Sequence, residues 1–547
     1  MGDRNRLLGD EKMTADAYDF IIVGAGSAGA ALTHRLTENP KWRVLLLEAG
    51  AAGHWASRFP VSFGLLIDNP AANWCYRSEP EETTANRRIP VPRGKLLGGS
   101  SAINGLVFVR GQPLDYDTWG QLGNRGWSFQ DVLPIFRRME HYEQGGNDLR
   151  AQGGPLRVSE ATDEGPLYEA VRAAADELGV APNPDYNGAS QEGIVRTQTT
   201  ISNGIRQSTA RCYLDPIKNR PNLRIETRAH THRVTLEGGR CTGVVYEQGG
   251  RMVEATAGRE VIVCSGGVAS PQLLELSGIG QPELIKSFGI EARHELPGVG
   301  EHLRDHINAR IQYHIARPEL SYNKRMQGFG RVAQALRYAV TRRGFVSLPS
   351  APMLAFLKTR AELETPDVQM HIVPYAVKNP KKRQLHDFPA MTIAVYQLRP
   401  ESLGSIHIQS ANPADQPAIR FKFLSDPIDR DVMTRGFRQI RALMDTQAMR
   451  QVRGAEFSPG TEIETDDQIL DYIRGNSETA YHPVGTCRMG QGPGAVVDAR
   501  LRVHGLHGLR VADASIMPTM VSGNTNAACI MIGEKCADLL KEDHAAA

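Results

Sequence analysis

Residues Tyr18–Gly50 read YDFIIVGAGSAGAALTHRLTENPKWRVLLLEAG. Phe20–Val23 is a short apolar run of the kind that forms a buried strand, and Gly24, Gly26 and Gly29 follow it in GxGxxG spacing. Ala30–Leu36 has a helical pattern, Asn39-Pro40 stops it, and Arg43–Leu47 is a second apolar strand that ends at Glu48. A strand, a glycine turn, a helix and a second strand closed by an acid make a βαβ unit of the dinucleotide-binding type. Gly24 allows the tight turn, Gly26 lets the backbone approach a pyrophosphate, and Gly29 lets the helix sit close on the strand. The helix start then faces the phosphates with free N–H groups and a positive dipole end. A carboxylate at Glu48 can take both ribose hydroxyls and disfavours a 2′-phosphate, which argues against NADP. These residues alone leave NAD and FAD both open.

A chain of 547 residues is too long for one core, so at least two interleaved domains are expected. Its 41% hydrophobic and 23% charged residues are those of a soluble globular protein, and a net charge of +2 gives no electrostatic case for nucleic acid. The seven cysteines are odd in number, scattered and without CxxC spacing, which argues for a reducing compartment. The expected location is cytoplasmic, with peripheral membrane contact possible. Residues 1–17 are polar, lack an apolar signal-peptide core and read as a disordered leader, with Met13 an alternative start. No apolar run is long enough for a transmembrane helix.

Along the chain, Arg93–Arg110 is dense in small residues and then turns apolar. Gly98-Gly99-Ser100-Ser101 offers successive N–H groups and two hydroxyls, suited to a phosphate or a polar ring edge. Val132–Met139 and Leu167–Leu178 read as helices. Ser208–Leu214 and Arg224–Val234 lead into alternating strands that continue through Thr242–Tyr246 and Glu260–Cys264. Gly266-Gly267 turns the last of these into a helix expected from Pro271, a good first-turn residue. Residues 316–400 have a different texture, with a helix at Phe329–Thr341 and strands at Asp367–Val373 and Met391–Gln397. Ser405–Gln409 reads as a strand and Arg430–Met449 as an amphipathic helix. Near the end, Leu509–Asp513 is a strand with an acid at its tip, and Asn524-Thr525 are capping residue types before a helix at Ala527–Leu540.

From Tyr18 to Leu540 the chain resembles the glucose–methanol–choline (GMC) oxidoreductases, which are FAD flavoproteins. Arg93–Asn104 resembles the family's first signature, and Gly266–Gly280 the second, with Gly267 where a slightly larger residue is usual. Leu296–His306 (LPGVGEHLRDH) and the set His482, Asp513 and Asn524 are also family-like. The resemblance implies an α/β fold, with a Rossmann-like FAD-binding domain interleaved with an α+β substrate domain on an antiparallel sheet. The expected division is 18–160, 210–315 and 475–547 for FAD, and 161–209 and 316–474 for substrate. It implies adenine-side contacts at Gly24, Gly26, Ser27, Ala28, Gly29 and Glu48, with a backbone contact at Thr231. It implies flavin-ring contacts at Leu96, Gly99, Ser100, Asn104, Gly105, Leu106, Val107, Asp513, Ala514, Asn524 and Thr525. Some relatives attach flavin covalently through a histidine where this chain has Ile103, so non-covalent FAD is expected.

Oxidising an alcohol removes a proton from oxygen and a hydride from carbon, and flavin N5 takes the hydride. The expected base is His482, with Asn524 as the partner that hydrogen-bonds and orients the alkoxide; His302 and His306 are read as structural, and Cys487 as packing. The expected partners are a small-molecule alcohol and an electron acceptor, a quinone or oxygen. An oxidase is the close alternative to a dehydrogenase. A hydroxynitrile lyase shares the fold and keeps a histidine. The photodecarboxylases carry a cysteine before their Arg-Pro step, where this chain has Leu398 before Arg399-Pro400, and they lack the catalytic histidine. With no HExxH, metal-ligand cluster or GxSxG, no metal site is expected. The substrate pocket is expected within residues 316–400, and neither the particular alcohol nor the oligomeric state is legible.

Overall fold

The computed structural model describes residues 17–379 and 384–545. Of the expected leader, residues 1–16 lie outside the described residues, and Ala17 already begins the first strand. Two seven-stranded sheets carry the architecture.

The first sheet grows outward from the opening unit. Ala17–Val23 pairs in parallel with Val44–Glu48 on one side and with Arg251–Val263 on the other. Leu223–Thr227 and Leu509–Val511 extend the parallel set at the two flanks. The first half of Arg251–Val263 also runs antiparallel to Arg240–Gln248, which pairs with Ala229–Glu237. Val44–Glu48 is buried along its whole length, as expected for a parallel strand covered on both faces. The helices Ser27–Leu36 and Asn526–Asp543 pack together over this sheet. Gly533 permits the contact, since a Cβ there would stand 2.2 Å from the Ala28 carbonyl oxygen.

The second sheet is wholly antiparallel: Arg453–Ser458, Ile307–Ile315, Ala390–Gln397, Val368–Val373, Met353–Leu357 and Gly193–Arg196, with Glu478–Thr479 paired at the start of Ile307–Ile315. The strand Ile307–Ile315, placed by sequence with the dinucleotide-binding unit, therefore belongs to this sheet. Side chains alternate across it. Ala309, Ile311, Met370, Ile372, Ile393 and Val395 pack in one core with Val432, Phe437 and Ile440 of the helix Pro427–Met444. The other face carries polar residues and looks toward the first sheet's strand tips.

Three local expectations are corrected. The helix after the second glycine pair runs Gly266–Leu276, with Pro271 in its interior. Proline removes the N–H that would bond the Gly267 carbonyl, and the Thr486 hydroxyl donates to that oxygen instead, at 2.7 Å. A hydroxyl from 219 residues away thus lets the helix run through its proline. The helix expected at Arg430–Met449 is two pieces, Pro427–Met444 and Gln447–Arg450, because Thr446 caps the second through the Met449 N–H. Ser208–Leu214 contains a wide helical turn, Ala210–Leu214, rather than strand.

Candidate active site

One cavity of about 1530 Å³ lies between the strand tips of the first sheet and the polar face of the second. At one end it is lined by Gly24, Gly26, Ser27, Ala28, Glu48 and Thr231. At the other end stand Gly99, Ser100, Asn104, Gly105, Leu106 and Val107, with Asp513, Ala514, Asn524, Thr525 and His482. Of the residues singled out by sequence, Gly29 and Leu96 are behind the wall. A Cβ on Gly29 would stand 2.0 Å from the Gly24 carbonyl oxygen, so its absence sets the helix onto the strand. Leu96 is buried beside Ile103.

The glycine end is made of backbone. A Cβ on Gly26 would meet open space, whereas one on Gly99 would stand 2.7 Å from the Gly26 Cα. The Gly98–Ser100 loop therefore presses on the glycine turn, and Gly98 donates its N–H to the Ala25 carbonyl at 2.8 Å. Ser100 faces the cavity, but Ser101 does not. Its hydroxyl donates to the Gly98 carbonyl and meets Thr209, so one of the two expected hydroxyls is structural. Glu48 accepts from the Ala25 and Gly50 N–H groups, and burial pushes its carboxyl up to about 7. Asp513 accepts from the Gly266 and Ser515 N–H groups and the Ser270 hydroxyl, tying the helix Gly266–Leu276 to the strand tip. Open room beside Gly26, a walled acid at Glu48 and the unpartnered buried hydroxyl of Thr231 fit an extended dinucleotide.

The two ends of the chain meet here. The Ser27 hydroxyl donates to the Asn526 side-chain oxygen at 2.6 Å, so the first and last long helices start side by side. Neither Asn524 nor Thr525 caps the last helix with its side chain. The Asn524 amide turns instead to His482, with Nδ2 3.1 Å from Nε2.

His482 sits in a directed chain of hydrogen bonds. His306 Nε2 lies 2.9 Å from the Leu398 carbonyl, which only accepts, so this nitrogen carries a proton. Burial lowers the His306 pKa to about 3, so the ring is neutral and its Nδ1 is an acceptor. His482 Nδ1, 3.0 Å away, must then donate. His482 is also buried, and burial, with His306, Arg93 and His371 nearby, lowers its pKa well below 6.5. Its Nε2 is left with the lone pair, accepting from Asn524 Nδ2. The Asn524 orientation is fixed in turn, because Gln369 Nε2 donates to its Oδ1 at 3.2 Å. Asp305 holds both histidines from behind through their backbone N–H groups, at 2.7 Å for His306 and 2.9 Å for His482.

Sequence reasoning thus missed His306, which touches His482 instead of serving only as structure, and also Asp305 and Gln369. His306 was within sight as the last residue of the LPGVGEHLRDH segment. Nothing local marks Gln369, which reaches the site only through strand pairing. Asp115 accepts from the Ser522 N–H and hydroxyl and so anchors the loop that carries Asn524. A Cβ at Gly267 would stand 2.3 Å from the Pro483 carbonyl oxygen; the departure from the usual second signature falls where the chain leaving His482 passes. Cys487 is buried and packs in the main core, as expected. Over His482 the second sheet presents Asn308, Arg310, Gln312, His371 and Thr392 to the cavity. Arg310 pairs with Glu478 at 2.7 Å, and that carboxylate raises the arginine's pKa.

The family models described as GMC oxidoreductase match residues 18–308 and 400–533. The chain is 40% identical over 536 residues to the oxygen-dependent choline dehydrogenase of Escherichia coli K12, covering 96% of each chain. Among solved structures it resembles pyridoxine 4-oxidase from Mesorbium loti, with TM-score 0.87 and 29% identity over 96% of this chain and 100% of that one. It also resembles an FAD-dependent oxidoreductase from Chaetomium thermophilum, with TM-score 0.88 and 27% identity over 97% and 100% of the two chains. A fold built on a dinucleotide turn, a histidine–asparagine pair at the far end of one cavity and matches along nearly the whole chain lead to one conclusion: the protein belongs to the GMC oxidoreductase family.

Proposed function

We propose that this FAD-dependent, alcohol-oxidising enzyme uses His482 Nε2 as the base and Asn524 Nδ2 as the donor that holds the substrate oxygen. The observation that carries this reading is the chain from Leu398 through His306 to His482, which leaves one lone pair, on Nε2, at the cavity. A substrate hydroxyl entering between Asn524 and His482 would donate to Nε2 and accept from Nδ2. His482 would take the proton, and its Nδ1–H would keep its bond to His306 in both protonation states. Asn524 would stabilise the oxygen as it becomes negative. Bound FAD supplies the acceptor for the hydride. Gly24, Gly26, Ser27, Ala28, Glu48 and Thr231 would hold its nucleotide half. Ser100, Asn104, Gly105, Leu106, Val107, Asp513, Ala514 and Thr525 would hold the ring. Gly29 and Leu96 would support these contacts from behind the wall. The two sheets mark the FAD-binding and substrate-binding halves.

The FAD is held without a covalent bond, since Ile103, at the family's attachment position, lines the cavity with no nucleophile. Acid precipitation should release yellow flavin into the supernatant, and flavin left on the polypeptide would refute this. Electrons pass to a quinone-type acceptor; oxygen is the second reading, favoured by the names of the E. coli relative and of pyridoxine 4-oxidase. All seven cysteines are free thiols, which supports a cytoplasmic location. Among the described residues no helix is long and apolar enough to cross a membrane.

The substrate is an uncharged small alcohol. Four carboxylates line the cavity: Glu48, Asp387, Glu478 and Asp513. Glu478 is paired with Arg310, Glu48 and Asp513 are bonded to backbone N–H groups, and Asp387 is exposed. With Arg310 and Glu478 cancelling each other, the sheet face offers a quaternary ammonium group no net negative charge. The experiment that tests the catalytic assignment is His482→Ala, assayed with a quinone and with oxygen. Turnover should fall about a hundredfold or more with either acceptor while flavin content stays, as for loss of a general base. Near-normal turnover would remove His482 from the mechanism.

A further inference from the structure

The helix Gly330–Thr341 turns an apolar stripe to solvent. Phe329, Val332, Leu336 and Val340 are 92, 56, 60 and 83% exposed, and their spacing of three and four places them on one face. Tyr338 is the helix's buried side chain and points the opposite way. Its hydroxyl donates to the Gly204 carbonyl at 2.9 Å, and its ring meets Phe59 with centroids 5.8 Å apart. A helix of 12 residues is marginal in water and normally gains its stability by burying its apolar face. Here that face is the one left outside.

A second segment packs against the buried side of the helix and also exposes apolar side chains. Trp55 and Leu65 are 75 and 61% exposed, and Trp55 contacts Phe59, which bridges to Tyr338. Among the described residues, six of the twelve exposed large apolar side chains belong to these two neighbouring segments. Scattered apolar residues need no explanation, but a continuous patch does. Residues 321–347 also carry Lys324, Arg325, Arg331, Arg337, Arg342 and Arg343 with no Asp or Glu, in a chain whose net charge is only +2. Leu65 and Arg331 are both exposed and both line the cavity, so the patch borders its mouth.

We propose that this surface docks on an anionic phospholipid bilayer, with the helix lying in the interfacial plane and the cavity mouth against the headgroups. The stripe enters the headgroup–acyl boundary while the basic residues meet lipid phosphates. Charge selects this occupant over a second copy. A two-fold contact through the same patch would set six cations against six, whereas an anionic surface complements them.

The test is co-sedimentation of the FAD-loaded enzyme with vesicles at low salt. Vesicles of equal parts phosphatidylglycerol and phosphatidylcholine should carry the enzyme down. Pure phosphatidylcholine should bind it at least about tenfold more weakly, and about 0.5 M salt should release it. Leu336→Ser with Val340→Ser should cut binding at least about tenfold. Dye-linked turnover in solution should stay unchanged, since neither residue lines the cavity. Failure of the wild-type enzyme to bind phosphatidylglycerol vesicles would overturn the proposal, as would equal binding by the double variant. A lipid-free dimer that the double variant converts to monomer, without vesicle binding, would assign the patch to contact between copies and overturn it too.

Discussion

The two ends of the cavity are built from different materials. At the dinucleotide end the wall is backbone: glycines that admit close approach, N–H groups at helix starts, and one acid held by two backbone donors. At the His482 end the wall is side chains, each oriented by the next, from Leu398 through His306, His482 and Asn524 to Gln369. Where two backbones meet, as at Gly29 and Gly99, such a site tolerates almost no added atoms, and Glu48 is the group in it that titrates. A side-chain site tolerates volume changes better but depends on which nitrogen carries a proton.

The sharpest way to break the comparison is at the glycine end. Gly29→Val places a Cβ 2.0 Å from the Gly24 carbonyl oxygen, with two more methyls beyond it. The protein should purify nearly colourless, with flavin content below about a tenth of the wild type, because the helix start is lifted off the strand. Full flavin occupancy in this variant would show that the close packing is not what forms the site.

At the other end the effect should be on rate and pH, with flavin retained. His306→Leu removes the acceptor that keeps the Nδ1–H tautomer of His482. Turnover should fall about tenfold or more, and His306→Gln, whose amide oxygen can accept, should recover part of it. In the wild-type enzyme the sign of the pH dependence follows from the lowered His482 pKa. The ring is neutral throughout the range above 6.5, so kcat/KM should be level from pH 6.5 to 8 and decline only in more acid solution. An acid limb centred above pH 7 would contradict the buried, neutral arrangement.

The smallest expected effect concerns the sheet face over His482. Choline and its uncharged isostere 3,3-dimethylbutan-1-ol differ by one positive charge at nearly constant shape. With Arg310 and Glu478 cancelling on that face, choline gains nothing from its charge, and the two kcat/KM values should agree within about fivefold, a difference of about 1 kcal/mol. Preference for choline beyond that range would mean that Glu478 serves the substrate more than it serves Arg310.

Much of this molecule is legible in its sequence where function rests on local backbone. The glycine turn, the strand ending at Glu48, the Gly98–Ser100 loop and the strand tip at Asp513 stand in contiguous motifs, because a phosphate cradle is made by neighbours along the chain. The alternation of Asn308, Arg310 and Gln312 with Ala309 and Ile311 is likewise in the sequence, although only strand pairing reveals which face meets the cavity. His482 and Asn524 are both picked out by sequence as a pair, and their side chains do meet.

What only the tertiary structure decided is the set of long-range partners. Thr486 satisfies the carbonyl that Pro271 leaves open, His306 sets the tautomer of a residue 176 positions away, and Gln369 orients Asn524 from a strand 155 positions back. A hydrogen bond between side chains far apart in sequence leaves no periodicity and no spacing to read. The sequence by itself determined the glycine turn proposed to cradle the dinucleotide, because that turn is a conformation of adjacent residues. The fold decided which nitrogen could act as a base, because that is a property of partners the chain brings together only when it is folded.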